Sequence, residues 1–282
     1  MMNKWIKSII CGLFLVGIFT VSGCGSNETK TTSAPQNSAH LLEKIKERGT
    51  LVVGTASGYP PYEFVDTSVA EKKVVGVDIE LAQKIADELG VKLEIQDMNF
   101  QALLSSLGSG KVDIAIAGMN ETAERKKSMD FSHGYLPTHA KILIKKSDAA
   151  LYPELSSFEG KPIGVQKSSI QENLVKQKMK KSQIIALAHV PDVIMELKHG
   201  KVACVVTDSL IGEQYLLFND DLMLSSIDLG EEALLSAVAI PKGNKELLTV
   251  INKVIDKETE NGNIEKWKTY YNQKVVDNVM KK

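Results

Sequence analysis

The sequence predicts an α/β protein of two similarly built lobes whose strand ends face one shared cleft. Three observations carry this. From Leu41 onward, short apolar runs alternate with amphipathic segments, the rhythm of sheets flanked by helices. Residues 105–118 (SSLGSGKVDIAIAG) align without gaps on residues 195–208 (MELKHGKVACVVTD), and residues 49–57 match 160–168 in the same order, so the architecture is duplicated. A chain of 282 residues also favours two compact units over one.

The elements follow in order. LVVGT (51–55) is a strand after the polar turn ERGT. DIELAQKIADELG (78–90) places Ile79, Ala82, Ile85, Ala86 and Leu89 on one helical face, with Gly90 as its stop. KLEIQ (92–96) alternates like a strand, FQALLSSL (100–107) is helical, and VDIAIA (112–117) reads as a buried strand. Lobe one is expected over 41–136 plus 235–282 and lobe two over 137–234. The crossovers SHGYLPTHAK (132–141) and LLSAVAIPK (234–242) form a two-strand hinge.

The first 40 residues stand apart. Lys4 and Lys7 precede the apolar stretch 9–21, which is too short and Gly-broken to span a bilayer comfortably and ends in Val-Ser-Gly-Cys24. This resembles the lipobox of bacterial lipoproteins. That resemblance implies a signal peptide over 1–23, diacylglyceryl attachment at Cys24, and a place on the outer face of the cell membrane. Residues 24–40 contain almost no bulky apolar side chain and read as a disordered tether.

Composition narrows the function. The chain is 43% hydrophobic and 24% charged, with a formal net charge of −1, so nothing points to a nucleic-acid partner. Of the three cysteines, Cys11 leaves with the signal, Cys24 is the lipid site, and Cys204 sits inside an apolar run as a small core residue. The five histidines show no metal-ligand spacing, and neither a phosphate loop nor a Gly-x-Ser-x-Gly elbow is present. No metal, cofactor or catalytic residue is therefore expected.

In open α/β sheets ligands bind beyond the carboxyl ends of the strands. Four polar or aromatic segments follow such strands: SGYPPYEF, AGMNETAER, QKSSIQE and TDSL. Gly118 lets backbone N–H groups approach a ligand, Asn120 and Thr122 offer hydrogen bonds, and Arg125 offers a planar fork suited to a carboxylate. A helix beginning at Ser168 or Ser169 would add N–H groups that favour an anion. Asp208 is a carboxylate aimed at a cation, and Tyr59 and Phe100 are aromatic faces. Together they describe a small zwitterion. Each residue also has a plainer role: Arg125 paired with Glu121 or Glu124, Asp208 capping the helix SLIGEQYL, Tyr59 and Phe100 in the core.

From Leu41 onward the chain resembles the bacterial solute-binding proteins of polar amino-acid ABC transporters, family 3. The resemblance rests on GVDIELAQKIADEL (76–89), YPPYEF (59–64), GKVDIAIAGMNETAERKKSMDFS (110–132), GKPIGVQKSSIQE (160–172), GKVACVVTD (200–208) and NGNIEKW (261–267). Val77, Asn120 and Leu210 depart from residues usual there. The resemblance implies a type II periplasmic-binding-protein-like clamshell acting as a monomer. Tyr59 and Phe100 would sandwich the ligand side chain. Gly118, Asn120 and Arg125 would bind from lobe one, with Arg125 on the α-carboxylate. The N–H groups of Ser169 and Ile170 would complete that site from lobe two, and Asp208 would take the α-ammonium. It also implies delivery to membrane permease subunits driven by a separate ATPase. Ala56 carries no charge where members that grip basic side chains often have an acid, and Gln166 and Thr207 are neutral, so a neutral polar amino acid is expected over a basic one. The alternatives are an enzyme on the same scaffold, dehydratase-like, and a ligand-sensing module.

Overall fold

A computed structural model describes residues 41–280, and the side chains of 278–280 are not described. The signal peptide, the tether and Cys24 lie outside the described residues. The first half of the chain comprises α1 (Leu41–Arg48), β1 (Thr50–Thr55), β2 (Phe64–Asp66), β3 (Lys73–Val75), α2 (Val77–Leu89), β4 (Lys92–Asp97), α3 (Phe100–Gly108), β5 (Ile114–Ala115) and β6 (Met129–Thr138). It continues through β7 (Ala140–Lys145), β8 (Pro162–Gln166), α4 (Ile170–Lys178), β9 (Gln183–Leu187), α5 (Val190–Lys198), β10 (Cys204–Asp208), α6 (Ser209–Leu216) and β11 (Leu222–Leu224). The chain then returns through β12 (Leu234–Pro241), α7 (Lys245–Glu260) and α8 (Asn263–Met280).

The strands form two five-stranded sheets, in the orders β4-β1-β5-β12-β6 and β9-β8-β10-β7-β11. The first three strands of each are parallel and the remaining pairings antiparallel, so the sheets share one plan. The sequence repeat maps onto this plan. Helix α3 leads into β5 and α5 into β10, and the turns between them close with matched bonds: Lys111 N–H to Ser106 O and Lys201 N–H to Glu196 O, both 2.9 Å. One apolar cluster runs from α2 and α7 through Tyr59 and Tyr62 to α5 and Val205, and each sheet has a second cluster on its other face. The protein is thus a two-lobed α/β clamshell. The chain passes between sheets at His139, between β6 and β7, and again in 225–233 between β11 and β12.

Two local readings shift. On α2, Leu81 and Val77 are buried with Ala82, Ile85, Ala86 and Leu89, while Ile79 is only half-buried. The apolar run 112–117 gives only a two-residue ladder, since the chain bends after Ala115 and Asn120 instead bridges Ser236 of β12. Gly90 does end α2 in the left-handed conformation, with φ 70°. At its other end Gly76 has φ 144°, and a Cβ there would stand 2.0 Å from the carbonyl oxygen of Tyr62. That backbone approach holds the YPPYEF loop against α2, through Val77 and Asp78 N–H bonds to Pro61 and Tyr62.

Candidate functional site

Between the sheets lies a narrow cleft lined by Tyr59, Phe100, Gly118, Asn120 and Arg125 from one side and Gln166, Ser169 and Ile170 from the other, with Ala117, Met119 and Gln171. Each lies at or just past the carboxyl end of a strand, as the parallel topology requires. Asp208, the ninth residue expected there, is not among the lining residues.

Tyr59 is positioned by a tight turn: its N–H and carbonyl pair with Glu63, and its ring stacks on Tyr62 at 5.6 Å. Both rings lie on Gly118, where φ is +51° and a Cβ would stand 2.9 Å from Tyr59 Cε1. Glycine is required by that contact. Its N–H is not offered to a ligand, however, because it donates to Asp78 Oδ2 at 2.8 Å.

Phe100 begins α3, whose N-cap Asn99 accepts from Ala102 N–H at 2.9 Å. The Arg125 guanidinium lies 5.2 Å from the Phe100 ring centroid, a cation–π arrangement. Thr122 Oγ1 accepts the Arg125 N–H, which fixes the start of the single turn Arg125–Lys127. The guanidinium donates to Asn120 O at 2.9 Å and to Ser168 O in the second lobe at 3.4 Å. No carboxylate pairs with it among the described residues; Glu121 takes Lys126 and Glu124 takes Lys127 instead. Burial lowers its proton affinity, with the pKa pushed down to about 10, so it is still charged at neutral pH.

In the second lobe Ser169 caps α4 by accepting Glu172 N–H, and the Glu172 carboxylate accepts the N–H of Ser168, one residue before the cap, at 2.7 Å. Ser168 is held at φ 65°, the one non-glycine residue with positive φ among the described residues, and it carries the carbonyl that Arg125 reaches. The first N–H groups of α4 thus border the cleft opposite Arg125. Asn120 is buried, and its side-chain Nδ2 has no partner among the described residues.

Asp208 caps α6 through Leu210 N–H at 2.7 Å, the plainer role the sequence allowed. It is 1% exposed and sits beyond Tyr62, whose hydroxyl donates to it at 3.4 Å; Thr138 donates as well. Burial raises its pKa to about 6 against these donors. Sequence reading missed this polar layer. Tyr62, Glu63, Asp78, Tyr135 and Ser236 are all buried behind the cleft wall, Ser236 donating to the Tyr62 hydroxyl at 3.2 Å. Three of its members, Tyr62, Glu63 and Asp78, stood in the YPPYEF and GVDIEL motifs, but nothing in a motif says which way a carboxylate turns. The histidines near the hinge lie elsewhere: His133 pairs with Asp256 on α7 at an exposed site, and His139 lines a separate, larger depression.

Two α/β lobes with a guanidinium on one, a helix N-terminus on the other and a small cleft between define a solute-binding protein. The chain belongs to the bacterial extracellular solute-binding proteins, family 3, whose family model matches residues 51–274. It is 30% identical over 270 residues to the arginine-binding extracellular protein ArtP of Bacillus subtilis, covering 95% of this chain and 97% of that one. It is 30% identical over 232 residues to the L-cystine-binding protein TcyJ of Escherichia coli, covering 80% and 85%. Its fold matches that of the amino-acid ABC transporter substrate-binding protein AbpA of Streptococcus pneumoniae bound to L-arginine, with a TM-score of 0.81 and 35% identity over 83% of this chain and 99% of that chain.

These relatives overturn the expectation that a neutral side chain is favoured over a basic one, since arginine binders stand among the proteins this chain resembles. The physical reason is that the expectation looked for negative charge only at Ala56, Gln166 and Thr207. The structure buries three carboxyl groups, Glu63, Asp78 and Asp208, directly behind the cleft. No described helix is long and apolar enough to cross a membrane.

Proposed function

We propose that this protein captures a free amino acid, arginine foremost, outside the cytoplasm and delivers it to permease subunits of an ABC importer powered by a separate ATPase. The observation that carries this reading is Arg125: a largely buried guanidinium at the cleft with no carboxylate partner among the described residues, facing the start of α4 in the other lobe. An α-carboxylate there receives the guanidinium fork from lobe one and helix N–H groups from lobe two. Phe100 and Tyr59 flank the ligand side chain. Asp208 takes the α-ammonium by exchanging a donor for it: the Leu210 and Ile211 N–H groups and Thr138 orient the carboxylate, and the Tyr62 hydroxyl, held at 3.4 Å, is the one an ammonium group displaces.

Because the two poles of the zwitterion touch different lobes, both contacts form only when the lobes are together, and that differential contact is what closes the clamshell. The relatives are binding proteins, which supports capture without turnover. The lipid on Cys24 would hold the protein at the outer membrane face. Isothermal titration against the twenty amino acids tests the reading, with mass spectrometry of the recovered ligand. Binding of arginine at micromolar or tighter Kd, with the ligand recovered intact, is expected. Failure of every amino acid to bind would overturn it.

A further inference from the structure

Behind Tyr59 two carboxyl groups meet. Glu63 is 1% exposed, and neither of its oxygens accepts a hydrogen bond from a donor among the described residues; no lysine or arginine pairs with it there. Its carboxyl lies in hydrogen-bonding contact with that of Asp78. Asp78 is well supplied, taking Gly118 N–H on Oδ2 and the Tyr135 hydroxyl on Oδ1, both at 2.8 Å. The acid without donors therefore holds the proton and gives it to the acid that has them, as in other carboxyl pairs too close to ionise together. Burial comes first in raising Glu63, followed by Asp78, Asp97 and Asp208, so every ionisable acid facing it pushes the same way. Tyr59 stands within electrostatic reach of Glu63 and forms the cleft wall on this side.

We propose that Glu63 determines specificity for a cationic side chain, releasing the proton it shares with Asp78 and becoming the counter-ion of a guanidinium or ammonium group brought into the cleft. This rests on the reading of the cleft as an amino-acid site. In the exchange the Glu63 O–H bond breaks, its electron pair stays on the carboxylate, and the proton passes to solvent. The wall survives because Asp78 keeps its bonds from Gly118 and Tyr135. A neutral ligand gives no reason for the proton to leave, since a second charge beside Asp78 would be uncompensated. One buried site thus exchanges one positive charge for another, and the preference for a cation becomes a proton-linked quantity.

The test compares L-arginine with L-citrulline, which has nearly the same shape and no side-chain charge. Both are titrated calorimetrically between pH 6 and 8 in buffers of different ionisation enthalpy, on the wild-type protein and on Glu63→Gln. The glutamine amide retains a donor for Asp78, so the wall is kept. Asp208 titrates for both ligands alike, so the readout is the excess of arginine over citrulline. The expected result is about one proton released per arginine in excess of citrulline, with the excess abolished and the arginine preference cut at least tenfold in Glu63→Gln. Arginine binding without excess proton release anywhere in that range overturns the proposal and leaves the amino-acid site standing; so does a variant that keeps the preference. Failure of both ligands to bind the wild-type protein overturns the amino-acid site and the proposal together. The proton-release measurement needs only the wild-type chain, so misfolding of the variant would not shield the proposal.

Discussion

Replacing Arg125 by alanine should cost arginine binding at least a hundredfold. A guanidinium has five N–H donors, and two are engaged with the carbonyls of Asn120 and Ser168, which leaves three for a ligand carboxylate. Two charge-assisted bonds at about 1.5–3 kcal/mol each give a gross contribution of about 3–6 kcal/mol. The lower end corresponds to roughly a hundredfold in Kd. The side chain also covers Phe100 and ties the lobes through Ser168, so part of the loss will come from a wall that is no longer held. Agmatine, which is arginine without its carboxylate, separates the two contributions. Titration of wild type and Arg125→Ala with both ligands closes a thermodynamic cycle. The reasoning requires wild type to prefer arginine over agmatine strongly and the variant to lose most of that preference. Arg125→Lys should fall between, keeping charge without the fork. An alanine variant that weakens both ligands equally, or neither, would refute the assignment of Arg125 to the carboxylate.

Two further outcomes follow from the geometry. The affinity for citrulline, which leaves Glu63 protonated, should fall about tenfold per pH unit below about pH 6: the pKa of Asp208 is raised to about 6, so its charge is present above that value and is lost as pH drops through it. Titration at pH 5 and pH 7 checks this, and Asp208→Asn should flatten the dependence. Gly76→Ala should lower Tm by roughly 6–12 °C, from a loss of about 3 kcal/mol or more, because its Cβ would meet backbone at 2.0 Å. Gly90→Ala, where nothing lies within 4 Å of the new methyl, should cost only about 1–2 kcal/mol of left-handed strain; thermal melts compare the pair.

Much of this protein was readable in the one-dimensional chain because local rules act locally. The alternation of apolar strands and amphipathic helices, the stop at Gly90, the cap at Ser169 and the repeated helix–Gly-Lys–strand unit depend on residues only a few positions apart. The duplicated plan then placed the segments after the strands at one cleft, which is why Tyr59, Phe100, Arg125 and Ile170 were nameable as neighbours though 111 positions separate the first from the last.

Tertiary structure decided what each polar group has as its partner. Asp208 looked like a cleft residue, yet it is buried beyond Tyr62 while capping α6. Gly118 N–H looked free, yet Asp78 occupies it from forty positions upstream. Glu63 drew no notice in the sequence, and it became the most consequential carboxyl behind the cleft only because folding strips it of water and sets it against Asp78. Charge identity is written in the chain. Its desolvation and its partner, which set the energy of that charge, depend on distances that only the packed lobes supply.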